Sequence, residues 1–254
     1  MKKTTRVLVW LASLSLASVS AVGAQVTEPA KILVNANFGA QSHSHTVVSS
    51  SSFTVYAEEA TVSSTKSVDG TSLFDFSIGY RVRDNLAVGF GVSRARDTAS
   101  AEMVARIPHP FFFNRFQEVR TTVDDLDRVE VGLHIQAIWF PPLEEYLPEN
   151  LKVALVVGPS FVKVRHALIT SADVPAGTQN ALPVTENANG TAAGFSGGFD
   201  VSYPVTPLIG IGGFVRYSGG STDLTTETDV VVAEDVKAGG LQMGAGVRLG
   251  FNLR

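Results

Sequence analysis

Apolar and polar residues alternate with period two in segment after segment of this chain, the spacing of strands with one oily face. In residues 72–82, Phe74, Phe76, Ile78, Tyr80 and Val82 share one side, while Asp75, Ser77, Gly79 and Arg81 share the other. Leu86, Val88, Phe90 and Val92 oppose Ala87, Gly89, Gly91 and Ser93. Residues 128–140 set Val129, Val131, Leu133, Ile135, Ala137 and Trp139 against Glu130, Gly132, His134 and Gln136. Phe195, Phe199, Val201 and Tyr203 oppose Gly194, Ser196, Gly198, Asp200 and Ser202. The chain closes on the same motif, from Leu241 to Arg254. Residues 31–41, 52–58, 151–165 and 207–218 repeat it less cleanly, and only the proline-bounded PPLEEYLPEN hints at a helical period.

The non-apolar face decides the architecture. A soluble sandwich or barrel turns its oily face inward and covers the outside with Lys, Glu and Thr. Here the second face is mostly Gly, Ser, Ala and Asn with sparse charges of both signs, which suits a narrow polar interior. Turned inside out, the pattern describes a closed, antiparallel, up-and-down transmembrane β-barrel. Lipid offers no hydrogen bonds to an open sheet edge, so the last strand must close the ring by pairing with the first.

Connections fit this reading. Those at Arg83-Asp84-Asn85 and Pro204 to Pro207 are tight, whereas residues 96–127, 166–191 and 219–236 read as long polar loops. Short periplasmic turns and long extracellular loops alternate in such barrels. Tyr80, Trp139 with Phe140, and Tyr203 precede short connections and predict an aromatic girdle at the periplasmic interface, with Tyr56 as a fourth member. Seven strands are clear. If 31–41, 52–58 and 60–67 each cross, the count is ten, which we favour. If 31–41 lies outside the wall and 52–62 crosses once, it is eight.

Composition narrows the compartment. MKKTTR followed by an apolar run and Val22-Gly23-Ala24 reads as a secretory signal, residues 1–24, leaving 25–254 as one barrel domain. Losing Lys2, Lys3 and Arg6 takes the formal charge from -4 to -7, an acidic balance that argues against nucleic acid as a partner. With no cysteine, stability must come from burial and hydrogen bonding.

With the signal segment, the hairpin FDFSIGYRVRDNLAVGFGVS, its looser echo FDVSYPVTPLIGIGGFVRYS and the final strand, the chain resembles the small outer-membrane β-barrels of Gram-negative bacteria, the OmpA-, OmpX- and OmpW-type group. The resemblance spans nearly all of the mature chain. It implies an outer-membrane location, lipid and lipopolysaccharide as surroundings, and the barrel-assembly machinery as a partner through the C-terminal strand. Such barrels usually end in Phe, whereas this chain ends Gly250-Phe251-Asn252-Leu253-Arg254. The group shares no catalytic motif, although some members are lipid-modifying enzymes or proteases.

Candidate chemistry is sparse. Glu130 and His134 share a strand face but lie about 13 Å apart, too far for a dyad, so only a cross-strand partner could make one. The predicted lumen residues are Asp75, Arg81, Glu130, His134, Lys152, Asp200, Arg216 and Arg248. Balanced signs in a narrow barrel point to a paired plug rather than a pore. His43-Ser44-His45 lacks further ligands for a metal, and Asp124, Asp125 and Asp127 lack calcium-loop spacing. No cofactor is implied. Phe111, Phe112 and Phe113, flanked by prolines, are candidates for contact with a partner or the lipid surface, with packing over the barrel mouth or extension of the upper aromatic girdle as the favoured expectation. The leading expectation is a non-enzymatic barrel serving envelope integrity or loop-mediated surface interaction. A narrow channel for small or apolar solutes comes second, and a lipid-modifying enzyme or protease third.

Overall fold

The structure, a computed structural model, describes residues 29–252 except 43, 44, 69, 144 and 227–230. The expected signal segment, the final two residues and most of the His43-Ser44-His45 motif therefore lie outside the described residues. Ten strands are present: β1 Ile32–Ser42, β2 His45–Val55, β3 Glu58–Val68, β4 Thr71–Arg83, β5 Leu86–Pro108, β6 Phe116–Trp139, β7 Lys152–Asp173, β8 Leu182–Pro204, β9 Ile209–Thr225 and β10 Val231–Phe251. All pairings are antiparallel.

Eight of the ten close the ring. β1 pairs with β4 on one side and β10 on the other, with Ile32 opposite Tyr80 and Phe251, and β4 to β10 follow in sequence order. The terminal strand thus seals the sheet against the first, as the alternation at Leu241 to Phe251 requires. The hairpin β2–β3 continues β1 and β4 upward instead of crossing separately: β3 pairs with β5 from Arg106 down to Ala101, directly above the Arg96-to-Leu86 stretch that pairs with β4. Residues 31–41 stand in the wall, contrary to the eight-strand alternative, while 52–58 and 60–67 belong to the β2–β3 hairpin outside the ring and do not cross as separate wall strands. The reason is compositional, because TVVSSSSFTV and EEATVSSTKSV have no oily outward face to present to lipid.

In the lower ring the apolar rows point outward. Phe74, Phe76, Ile78 and Tyr80 on β4, and Leu86, Val88, Phe90 and Val92 on β5, are exposed, whereas Asp75, Ser77, Ala87 and Ser93 are buried. On β10 the oily row from Leu241 to Phe251 covers ten residue steps, about 33 Å of strand, or about 25 Å of height at the usual barrel tilt. That is the height of a lipid-facing belt. The segments 84–85, 140–151 and 205–208 connect strands at one end, where Tyr80, Trp139 and Tyr203 ring the wall.

Above the belt the faces exchange roles. On β5 the outward row turns from Val92 to Arg94, Arg96, Thr98, Ser100 and Glu102, and the inward row from Gly91 and Ser93 to Ala95, Ala101, Met103, Ala105 and Ile107. The segments expected as loops at 96–127, 166–191 and 219–236 are largely strand, with tips at 109–115 and 174–181. They form a dome filled by two apolar clusters, one around Val62, Met103, Ile107, Leu126 and Ile169, the other around Val47, Val162, Val164, Leu168 and Leu224. Tyr56 belongs to this far end. It sits in the β2–β3 turn, with Tyr56 and Ala57 at φ 50° and 64°, and shares hydrogen bonds with Pro175 and Thr178 of the β7–β8 tip, so it is no part of the girdle at the turn end. The described residues of PPLEEYLPEN form turns, with Leu147 N–H donating to Leu143 O, rather than a helix.

Ring closure depends on close backbone approach at the β1–β10 seam. A Cβ at Gly246 would lie 1.9 Å from the Ala36 carbonyl oxygen. Gly246→Val is expected to cost about 1–3 kcal/mol or more through overpacking. It should abolish the compact gel migration of the unheated, detergent-solubilised protein, while Val247→Leu on the outer face should retain it.

Candidate functional site

The inward face of the lower ring assembles one chain of polar side chains. Asp200 on β8 accepts two hydrogen bonds from Arg248 on β10, at 3.1 and 2.6 Å. Arg248 also donates to Asn37 Oδ1 on β1, and Asn37 donates to Asp75 on β4 at 3.0 Å. Asp75 pairs with Arg216 on β9 at 2.6 Å, and Arg216 Nε donates to Gln242 at 2.8 Å. Gln242 donates to Gln41, and Gln41 to Glu130, at 2.7 and 2.6 Å. Glu130 closes the chain on Arg128 and accepts the Gly239 N–H at 3.2 Å. Six of the eight ring strands contribute, each because its inward parity puts a polar residue at that level.

Every carboxylate in this chain meets a guanidinium, so the buried charges compensate one another. A buried ion pair adds little net stability, but losing one partner strands the other charge at a cost of about 3–5 kcal/mol. The network ties six strands together across the lumen. Above it two apolar clusters fill the dome, and Lys66 on β3 donates to the Leu126 carbonyl at 2.6 Å just over the Arg128–Glu130 pair. Below it lies a cavity of about 650 Å³ that reaches the turn end, lined by Leu33, Asn35, Ser77 and Ile138, with Arg81 and Lys152 among the residues toward its mouth. The Arg81 guanidinium stacks 3.9 Å over Phe140 and donates to the Ala30 carbonyl.

Of the sequence-predicted lumen residues, Asp75, Glu130, His134, Arg216 and Arg248 are buried inside the ring, Asp200 and Arg81 are partly buried, and Lys152 is exposed. Asp75, Glu130, Asp200, Arg216 and Arg248 join in the network, whereas Arg81 and Lys152 stand apart from it. Arg128 was missed, although its parity with Glu130 placed it on the same face. Ser93 was also missed as chemistry. Its Oγ lies 2.9 Å from His134 Nε2, the cross-strand partner that the spacing of Glu130 and His134 could not supply. Gly132 makes room for the pair, since a Cβ there would lie 2.6 Å from Ser93 Oγ.

A serine beside an imidazole can act as a nucleophile and base, but it needs a substrate path and a group that orients the ring. His134 is 0% and Ser93 3% exposed, and His134 Nδ1 has no hydrogen-bond partner among the described residues. The pair is built as a lining contact. Asp124 and Asp127 are taken up by Ser100 at 2.6 Å and Thr98 at 3.0 Å, and the Thr98 hydrogen bond, with Arg96 beside it, holds the Asp127 carboxyl below its usual range.

At the far tip Phe111, Phe112 and Phe113 are 79%, 58% and 71% exposed, against the expectation that they pack over the mouth. The hairpin carries them past the dome, and the tip fixes its own backbone: His109 N–H donates to Arg115 O at 2.7 Å, Phe111 N–H to His109 Nδ1 at 3.1 Å, and Asn114 N–H to Glu58 at 2.8 Å.

No protein-family model and no curated protein matches the chain. Among solved structures it is similar to Neisserial surface protein A, at 17% identity over 87% of this chain and 97% of that one, with a TM-score of 0.41. It is also similar to the outer membrane protein AlkL in lipid bilayers, at 19% identity over 94% and 98% with a TM-score of 0.38, and to the outer membrane protease OmpT from Escherichia coli, at 9% over 88% and 97% with a TM-score of 0.36. The architecture described above rests on the strand pairing itself.

Two outcomes follow from the buried charges. Arg216→Leu is expected to cost about 3–5 kcal/mol in urea unfolding from lipid vesicles, and Asp75→Leu combined with it should recover most of that loss. Burial pulls the Lys66 ammonium down from 10.5 to about 8, opposed in part by Asp97. The unfolded chain then holds more protons than the folded one from about pH 8 to 10.5, so this group makes stability rise with pH through that window. Comparing the pH dependence of unfolding in the wild type and Lys66→Met isolates the effect, and the variant should lack that rise.

Proposed function

We propose that this protein is a non-enzymatic, non-conducting barrel of the Gram-negative outer membrane that presents a rigid external head for surface interaction. Its signal segment directs export, its short turns, the start of β1 and the end of β10 face the periplasm, and the dome stands outside among lipopolysaccharide. Strand β10 is the segment offered to the barrel-assembly machinery.

The observation that carries the reading is where reactive and adhesive surface remains. Inside, the carboxylates of the network are matched by arginines, and the Ser93–His134 pair is closed off. Outside the belt, three consecutive phenylalanines stand exposed on a tip held by its own backbone hydrogen bonds. A channel needs a continuous wet path; paired side chains spanning the lumen and apolar clusters in the dome above them favour the closed reading. Flux through a narrow barrel would require both to move.

Planar-bilayer recordings of the purified protein should show no stable unitary steps, and regular openings would instead favour solute passage. Cells displaying the wild type should adhere to a target surface more strongly than cells displaying Phe111→Ser/Phe112→Ser/Phe113→Ser at equal surface amounts. Equal adherence would remove the tip from the account.

A further inference from the structure

The β5–β6 tip has a chemistry of its own. From Arg94, at the upper edge of the belt, to Pro108 the strand runs fourteen residue steps, about 46 Å along its length and about 35 Å in height at the usual tilt. The phenylalanines therefore stand too far out to touch the bilayer their own barrel crosses. Two arginines accompany them. Arg106 lies 4.0 Å over the Phe116 ring and Arg115 5.7 Å over the Phe112 ring. Acids stand at the same tip: Glu58 accepts the Asn114 N–H, and Glu118, opposite Arg106 across the hairpin, pairs with Arg120.

An aromatic cluster at a rigid apex, collared by guanidinium groups, matches the layered chemistry of a bilayer surface. Rings enter the acyl boundary while cations meet phosphate groups. A sugar surface offers no apolar depth for three exposed rings, and the local backbone hydrogen bonds mean that little ordering cost is left on insertion. Resting on the surface-interaction reading above, we infer that Phe111, Phe112 and Phe113 insert into an opposed anionic phospholipid bilayer, with Arg106 and Arg115 contacting its headgroups. The docking surface thus faces a second membrane.

The full-length protein in zwitterionic nanodiscs is mixed with phosphatidylcholine vesicles with or without phosphatidylglycerol, and co-flotation is measured. The wild type is expected to float with both and more strongly with the anionic ones. Phe111→Ser/Phe112→Ser/Phe113→Ser loses about tenfold or more in vesicle affinity, since one buried phenylalanine already contributes about that factor. Arg106→Gln/Arg115→Gln keeps binding to phosphatidylcholine but loses about tenfold in preference for the anionic vesicles. Phe113→Trp shifts its emission to the blue and is quenched by brominated lipid. A heat-dependent gel shift confirms that each variant is folded. Absence of vesicle binding, or a triple variant that binds as well as the wild type, overturns the inference. If vesicles fail while cell adherence still depends on the three phenylalanines, the surface-interaction reading stands and only the lipid partner falls. If neither depends on them, both fall.

Discussion

Each long strand of this protein serves two solvents, and the structure follows from that constraint. In the lower stretch the outside is hydrocarbon, so apolar rows face out and every backbone donor and acceptor must be paired within the sheet. In the upper stretch the outside is water, so the same strands turn polar rows out and apolar rows in. The switch falls between Val92 and Arg94 on β5 and between Phe161 and Lys163 on β7. Because strand side chains alternate with period two, the exchange needs no change of register, only a change in which residues occupy each parity.

The two regimes demand different interiors. Within the belt, polar side chains of the lumen join in a chain from Asp200 to Arg128, with a small apolar cluster of Ala87, Ile138 and Ala154 beside the turn end. Above it, free of lipid, the interior becomes an ordinary apolar core. Lys66 and the Arg128–Glu130 pair mark the junction, where a buried ammonium meets the last ion pair of the lumen. The β2–β3 hairpin belongs to the upper regime, which is why serine-rich strands that could never face lipid are part of the sheet.

The lower barrel was legible because Phe, Leu, Ile and Val rows stand against Gly and Ser rows, a contrast that survives without any structure. The dome was not, for a physical reason: its outward rows carry Arg, Thr, Asp and Glu, and its inward rows are often small, as with Ala95, Ala101 and Ala105, so the alternation reads as a polar loop. Read with the opposite facing, that stretch signals strand. Tyr56 was misplaced because a two-residue turn can lie at either end of a barrel when its hairpin stands above the ring. Parity alone could have found Arg128, whereas Ser93 gains its meaning only from being brought beside His134 across two strands.

The absence of cysteine gives direct access to the central claim, because a single introduced cysteine labels cleanly. Spin labels placed one at a time at Val88, Phe90 and Val92, and at Thr98, Ser100 and Glu102, in the bilayer-reconstituted protein report whether oxygen dissolved in lipid or a water-soluble relaxant reaches each site. The account predicts lipid accessibility at the first three and aqueous accessibility at the last three, with the crossover at Arg94. Aqueous accessibility along the whole row, or lipid accessibility continuing past Thr98, would contradict it.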